Sequence, residues 1–102
     1  MHLLGWFHME QTTINAFIDE HPDWQQQENT LVGEWNVNDF SVLRTVITQL
    51  CDLAEELNHH PTVTYGYNTL RVATTTHDAG NTITDLDLTL ARRVSELLTE
   101  NK

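Results

Sequence analysis

The chain has 102 residues, 15 acidic and five basic side chains, a formal net charge of −10, 39% hydrophobic residues and one cysteine. This length suits one core, so a single domain over 1–102 is expected, with 1–9 as an N-terminal extension. Five cations on so acidic a chain leave no basic patch for phosphates and favour no anionic membrane. The composition therefore argues against direct nucleic-acid and membrane partners, and no apolar run reaches the roughly 20 residues that span a bilayer. The apolar start at Met1–Phe7 has no Lys or Arg before it and no clear cleavage site, which reads as no signal peptide. Cys51 has no internal partner for a disulfide, and a cytoplasmic, reducing compartment is the expectation.

The elements follow in chain order. Ile14, Phe17 and Ile18 share a helical face within a helix over 10–20, which Pro22 terminates. Trp24 reads as a core anchor on a short strand, followed by a polar turn over 25–30. Over 31–37 Leu31, Gly33, Trp35 and Val37 alternate with Val32, Glu34 and Asn36, the pattern of a half-buried strand. Asn38 or Asp39 can cap the next helix. From Phe40 the apolar positions Leu43, Val46, Ile47, Leu50, Cys51, Ala54 and Leu57 give the clearest amphipathic stripe in the chain. It should end near Asn58, ahead of Pro61. Val63, Tyr65 and Tyr67 alternate over 62–68. After a turn at Asn68-Thr69, a strand over 70–77 sets Leu70 and Val72 on one face and Arg71, Ala73, Thr75 and His77 on the other. Asp78-Ala79-Gly80-Asn81 is a loop by composition. Thr84 and Asp87 have the spacing of a capping box. Leu86, Leu90, Ala91, Val94, Leu97 and Leu98 then describe a last helix. The order α-β-β-α-β-β-α predicts an α+β fold, a four-stranded antiparallel sheet with helices packed on one face. Trp24, Trp35, Phe40 and Cys51 are assigned to the core.

Three histidines converge in this scheme. His59 and His60 lie at a helix-to-strand junction, and His77 ends a strand that can pair with the one after His60. Glu55 is one helical turn before His59, and Asp87 is in the first turn of the last helix. Imidazole gives and accepts protons near neutral pH, so several histidines around one pocket suit general acid–base work. A three-histidine zinc site is the competing reading, but adjacent histidines on an extended backbone point to opposite sides. No metal is assigned. Arg71 shares the face of His77, where it can meet a polar substrate group or Glu34 across the sheet.

The run Glu55-x-x-x-His59-His60-Pro61, then Tyr67-Asn68, Thr76-His77-Asp78 and Asp87 followed by Leu90-Ala91, resembles the signature of the pterin-4a-carbinolamine dehydratase family. That family is also known as a dimerisation cofactor of a homeodomain transcription factor. Pro22-x-Trp24 and Leu31…Glu34-Trp35 agree, and the resemblance covers about residues 12–98. It departs at Asn58, where some members have Asp. It departs at Val63, where an aromatic is common, and in a loop before Asp87 that is one residue longer than usual.

The resemblance implies dehydration of 4a-hydroxytetrahydrobiopterin to quinonoid dihydropterin and water, in tetrahydrobiopterin recycling, with no cofactor. It places His59, His60 and His77 around the reacting edge. His59 and His77 would transfer protons and His60 would bind and orient the substrate. Glu55 and Asp87 would orient imidazoles, with Asp87 as a helix cap and Glu55 as a solvated helix residue the plainer alternatives. Tyr67 would wall the pocket or join the core. A pterin substrate and a homo-oligomer, dimer or dimer of dimers, are the implied partners. Trp6 and Phe7 precede the resemblance and would pack on the domain or serve an oligomer contact. The alternative function is a non-catalytic interaction, assembly or coactivator scaffold of the same fold, which the presence of all three histidines disfavours.

Overall fold

The structure, a computed structural model, describes residues 9–102, so the readings of Met1–Phe7, Trp6 and Phe7 included, lie outside the described residues. The elements are α1 (Gln11–Glu20), β1 (Trp24–Gln27), β2 (Thr30–Asn36), α2 (Phe40–Leu57), β3 (Thr62–Tyr65), β4 (Thr69–Thr74) and α3 (Asp85–Glu100), with a 3-10 turn at His77–Ala79 between β4 and α3. The sheet order is β1-β2-β4-β3, antiparallel throughout, so the two hairpins join through their inner strands β2 and β4. This is the α+β fold expected from the sequence.

Alternation fixes the two faces of the sheet. Leu31 opposes Thr74, Gly33 opposes Val72 and Trp35 opposes Leu70 on the helix-covered face. Leu31, Leu70 and Val72 pack there with Leu43, Val46 and Leu50 of α2 and Leu88, Leu90, Ala91 and Val94 of α3. The open face carries Val32, Glu34, Thr62, Thr64, Arg71 and Ala73 in matching register. Trp24 is buried and meets Trp35 edge to face at 5.2 Å between ring centroids, above Gly33.

Helix α2 starts at Asp39, whose carboxylate accepts from the Ser41 N–H at 2.8 Å. It ends at Asn58, which takes left-handed angles (φ 51°, ψ 44°), and the next N–H, of His59, returns to the Ala54 carbonyl at 3.0 Å. Asn tolerates this conformation better than most side chains, so the residue before the histidine pair closes the helix and turns the chain into β3.

The expected places of four apolar residues are corrected. Cys51 is exposed, because α2 buries the stripe Leu43, Val46, Leu50, Leu53 and Ala54, and the position after Leu50 turns about 100° away from it. Leu86 is exposed and Leu88 buried, because the inward face of α3 runs through Asp87, Leu88, Leu90, Ala91 and Val94 and position 86 falls outside it. Phe40 and Tyr67 are also exposed, at 39% and 78%, and stack on each other at 6.3 Å. β3 ends at Tyr65, so Tyr67 belongs to the turn into β4 and not to a strand facing the core.

Candidate active site

The register separates the adjacent histidines. His59 falls on the helix-covered side with Val63, and His60 on the open side with Thr62 and Thr64. The strand expected to run to His77 stops at Thr74, and His77 opens the 3-10 turn instead; Thr74 and Thr76 are buried, whereas His77 is exposed.

His59 meets Asp87. Its Nε2 lies 2.7 Å from Asp87 Oδ1 and 3.1 Å from Thr74 Oγ1. The Thr74 hydroxyl itself donates to Asp87 Oδ1 at 2.5 Å, so both neighbours of Nε2 are acceptors and the ring proton sits on Nε2. Asp87 is fully buried, and His59 is 10% exposed at its side chain. The second carboxylate oxygen accepts from the Thr76 hydroxyl at 2.7 Å and the Thr84 N–H at 2.8 Å. The latter bond is half of a capping box on α3. Asp87 thus caps the helix and holds His59 at once, with every contact a donor to the carboxylate.

On the open face His60 Nε2–H donates to Glu55 Oε2 at 2.6 Å, although both side chains are largely exposed, at 57% and 79%. His77 Nδ1–H donates to Asn81 Oδ1 at 2.6 Å. His60 and His77 line one cavity of about 500 Å³ on the open face, floored by Val32 and Ala73 and edged by Thr62, Thr75 and Arg71. Arg71 reaches Gln27 at 3.3 Å and Glu34 at 3.5 Å across the sheet. The cavity lining does not include His59 or Tyr67. The whole of β3 separates Tyr67 from His60, so the structure does not bring Tyr67 to the histidines. A larger cavity of about 690 Å³ lies at the opposite end, by His21, Trp35 and Asp39, and holds none of the predicted site residues. Among the described residues no three His, Cys, Asp or Glu side chains come together to hold a metal ion, and no helix is long and apolar enough to cross a membrane.

The partners of the imidazoles that sequence reasoning missed are Thr74 for His59 and Asn81 for His77. Thr74 was legible only as a strand residue. The signal for Asn81 is the loop beside His77, which holds an Asn where left-handed backbone angles are needed.

The protein is thus a small antiparallel sheet with helices on one face and two cavity-lining imidazoles on the other. The family model described as pterin 4 alpha carbinolamine dehydratase matches residues 8–97. A protein named "Putative pterin-4-alpha-carbinolamine dehydratase" in Thermomicrobium roseum is 36% identical over 89 residues, covering 87% of this chain and 95% of its own. One of the same name in Synechococcus is 38% identical, with the same two coverages. A crystal structure described as a transcriptional coactivator/pterin dehydratase from Brucella melitensis superposes with a TM-score of 0.81 at 26% identity, over 88% of this chain and 97% of that one. The chain belongs to the pterin 4 alpha carbinolamine dehydratase family.

Proposed function

We propose that the protein dehydrates 4a-hydroxytetrahydrobiopterin to quinonoid dihydropterin and water, as a step of tetrahydrobiopterin recycling in the cytoplasm. The supporting observation is the shared cavity of His60 and His77, each with one ring nitrogen engaged by a protein acceptor and the other left for a ligand.

The chemistry requires one proton in and one proton out. The C4a–O bond breaks as an acid protonates the hydroxyl, which leaves as water. The N5–H bond breaks toward a base, and its electron pair forms the C4a=N5 bond. His60, in its protonated form, keeps Nε2–H on Glu55 and offers Nδ1–H to the leaving hydroxyl. Neutral His77, with Nδ1–H on Asn81, offers Nε2 to the N5 proton. Each such group is worth about 10²–10⁴ in rate. This assignment gives His60 the proton-transfer role that the resemblance gave to His59. His59, tied to Asp87 and Thr74, holds the junction from which His60 projects. Assembly as a dimer or dimer of dimers belongs to the same reading.

The test is ultraviolet absorbance of freshly generated 4a-hydroxytetrahydrobiopterin. The protein should accelerate its dehydration well above buffer, and a folded protein that gives the buffer rate excludes the proposal.

A further inference from the structure

We infer that Asn81 is a positioning residue that sets which nitrogen of His77 faces the substrate; this rests on the proposed role of His77 as the base.

The loop from Thr76 to Thr82 is closed on itself. The Thr76 carbonyl accepts from the Asn81 N–H at 3.0 Å and the Ala79 N–H at 3.2 Å, and the Thr76 N–H donates to the Thr82 carbonyl at 2.9 Å. Within it Gly80 and Asn81 both have positive φ, 78° and 61°. Left-handed angles alone account for an Asn at position 81, but they would be met as well by Gly. They do not account for the side chain, whose Oδ1 lies 2.6 Å from His77 Nδ1.

A carbonyl oxygen has no proton to give. The proton of this bond therefore sits on His77 Nδ1, and in neutral His77 the lone pair sits on Nε2. With Nδ1 engaged by its own loop, Nε2 is the nitrogen left for the cavity that His77 lines. Without Asn81 the ring is free to rotate and to exchange tautomers, and only a fraction of molecules would present an acceptor to N5–H. The titratable and charged groups around His77 are His60, Glu28 and Arg71, which line the same cavity, and Asp78, its neighbour in the chain. They are the same in every variant below.

Two variants separate positioning from loop structure. Asn81→Gly keeps the left-handed backbone and removes the acceptor. Asn81→Asp keeps the acceptor and adds a charge. Long-range 1H–15N correlation spectra of the imidazoles read the tautomer directly and need no activity. The wild type should show His77 as Nδ1–H and Asn81→Gly should not, while the rest of the spectrum is kept. In the dehydration assay Asn81→Gly should lose about fivefold or more in kcat with little change in KM, a loss of correct protonation at the base. Asn81→Asp should retain activity and the Nδ1–H tautomer, because its carboxylate also accepts from Nδ1–H. An Nε2–H tautomer in the wild type overturns the inference. So does an Asn81→Gly variant with unchanged tautomer and kcat within twofold of wild type. A protein with the predicted tautomers but no dehydratase activity would instead sink the proposed function and leave the positioning intact.

Discussion

His59 Nε2 and Asp87 Oδ1 lie 2.7 Å apart, with the carboxylate fully buried beneath the sheet. Thr74, Thr76 and the Thr84 backbone supply the remaining donors, so one carboxylate ties the end of α2, strand β4 and the start of α3 together. Removing it leaves these donors buried without an acceptor and uncaps α3. Asp87→Ala should cost about 3–5 kcal/mol in urea unfolding, and Asp87→Asn about 1–3 kcal/mol, since the amide presents a donor to donors. A loss below about 1 kcal/mol for Asp87→Ala would contradict this account of the network.

Gly33 has a steric reason to lack a side chain. A Cβ there would collide with the Trp35 ring and stand 2.9 Å from Trp24 Cδ2. Gly33→Ala should therefore destabilise the protein by about 1–3 kcal/mol, with a perturbed near-ultraviolet tryptophan signal. Unchanged stability would mean that the two rings move aside freely.

The Glu55–His60 pair is exposed, so its effect should appear in rate and not in stability. Glu55→Gln should shift unfolding by less than about 0.5 kcal/mol, while lowering kcat/KM by about threefold to tenfold through loss of the carboxylate that holds the His60 ring by its Nε2–H. Kinetics equal to wild type would remove Glu55 from the mechanism.

Across α2 and α3 the Arg93 guanidinium donates to Glu56 at 3.1 Å and 3.3 Å and holds its carboxyl below the ordinary value of 4.5. A carboxyl lowered in the folded state adds stability above its unfolded value and loses it as pH falls through the folded one. The stability gap between wild type and Glu56→Gln should therefore be constant near about pH 6 and close toward about pH 3, and 1 M salt should shrink it. A gap that widens in acid would reverse the sign and contradict the pairing.

Much of this was legible in the sequence because periodicity is local. The 3.6-residue stripe of α2 and the alternation in β2 and β4 set the faces, and alternation alone sends His59 and His60 to opposite sides. The Thr84–Asp87 spacing foretold the capping box. It presented capping and holding an imidazole as alternatives for Asp87, whereas a buried carboxylate has two oxygens and does both. Partner choice was not legible: that His60 takes Glu55 while His59 takes Asp87 depends on which strand face each meets. Edge effects were not legible either. Tyr67, Phe40 and Cys51 are apolar at the right period, but their positions fall at a turn, a helix start and the flank of a stripe, where the core does not reach.

The central claim is that His60 and His77 carry out the proton transfers of a pterin dehydratase. Its most direct test is the rate of dehydration of freshly generated 4a-hydroxytetrahydrobiopterin with wild type, His60→Ala and His77→Ala, each shown to be folded. Strong acceleration by wild type and a loss of about 10²-fold in each variant is the expected result. A folded wild type no faster than buffer, or variants within twofold of it, would contradict the account.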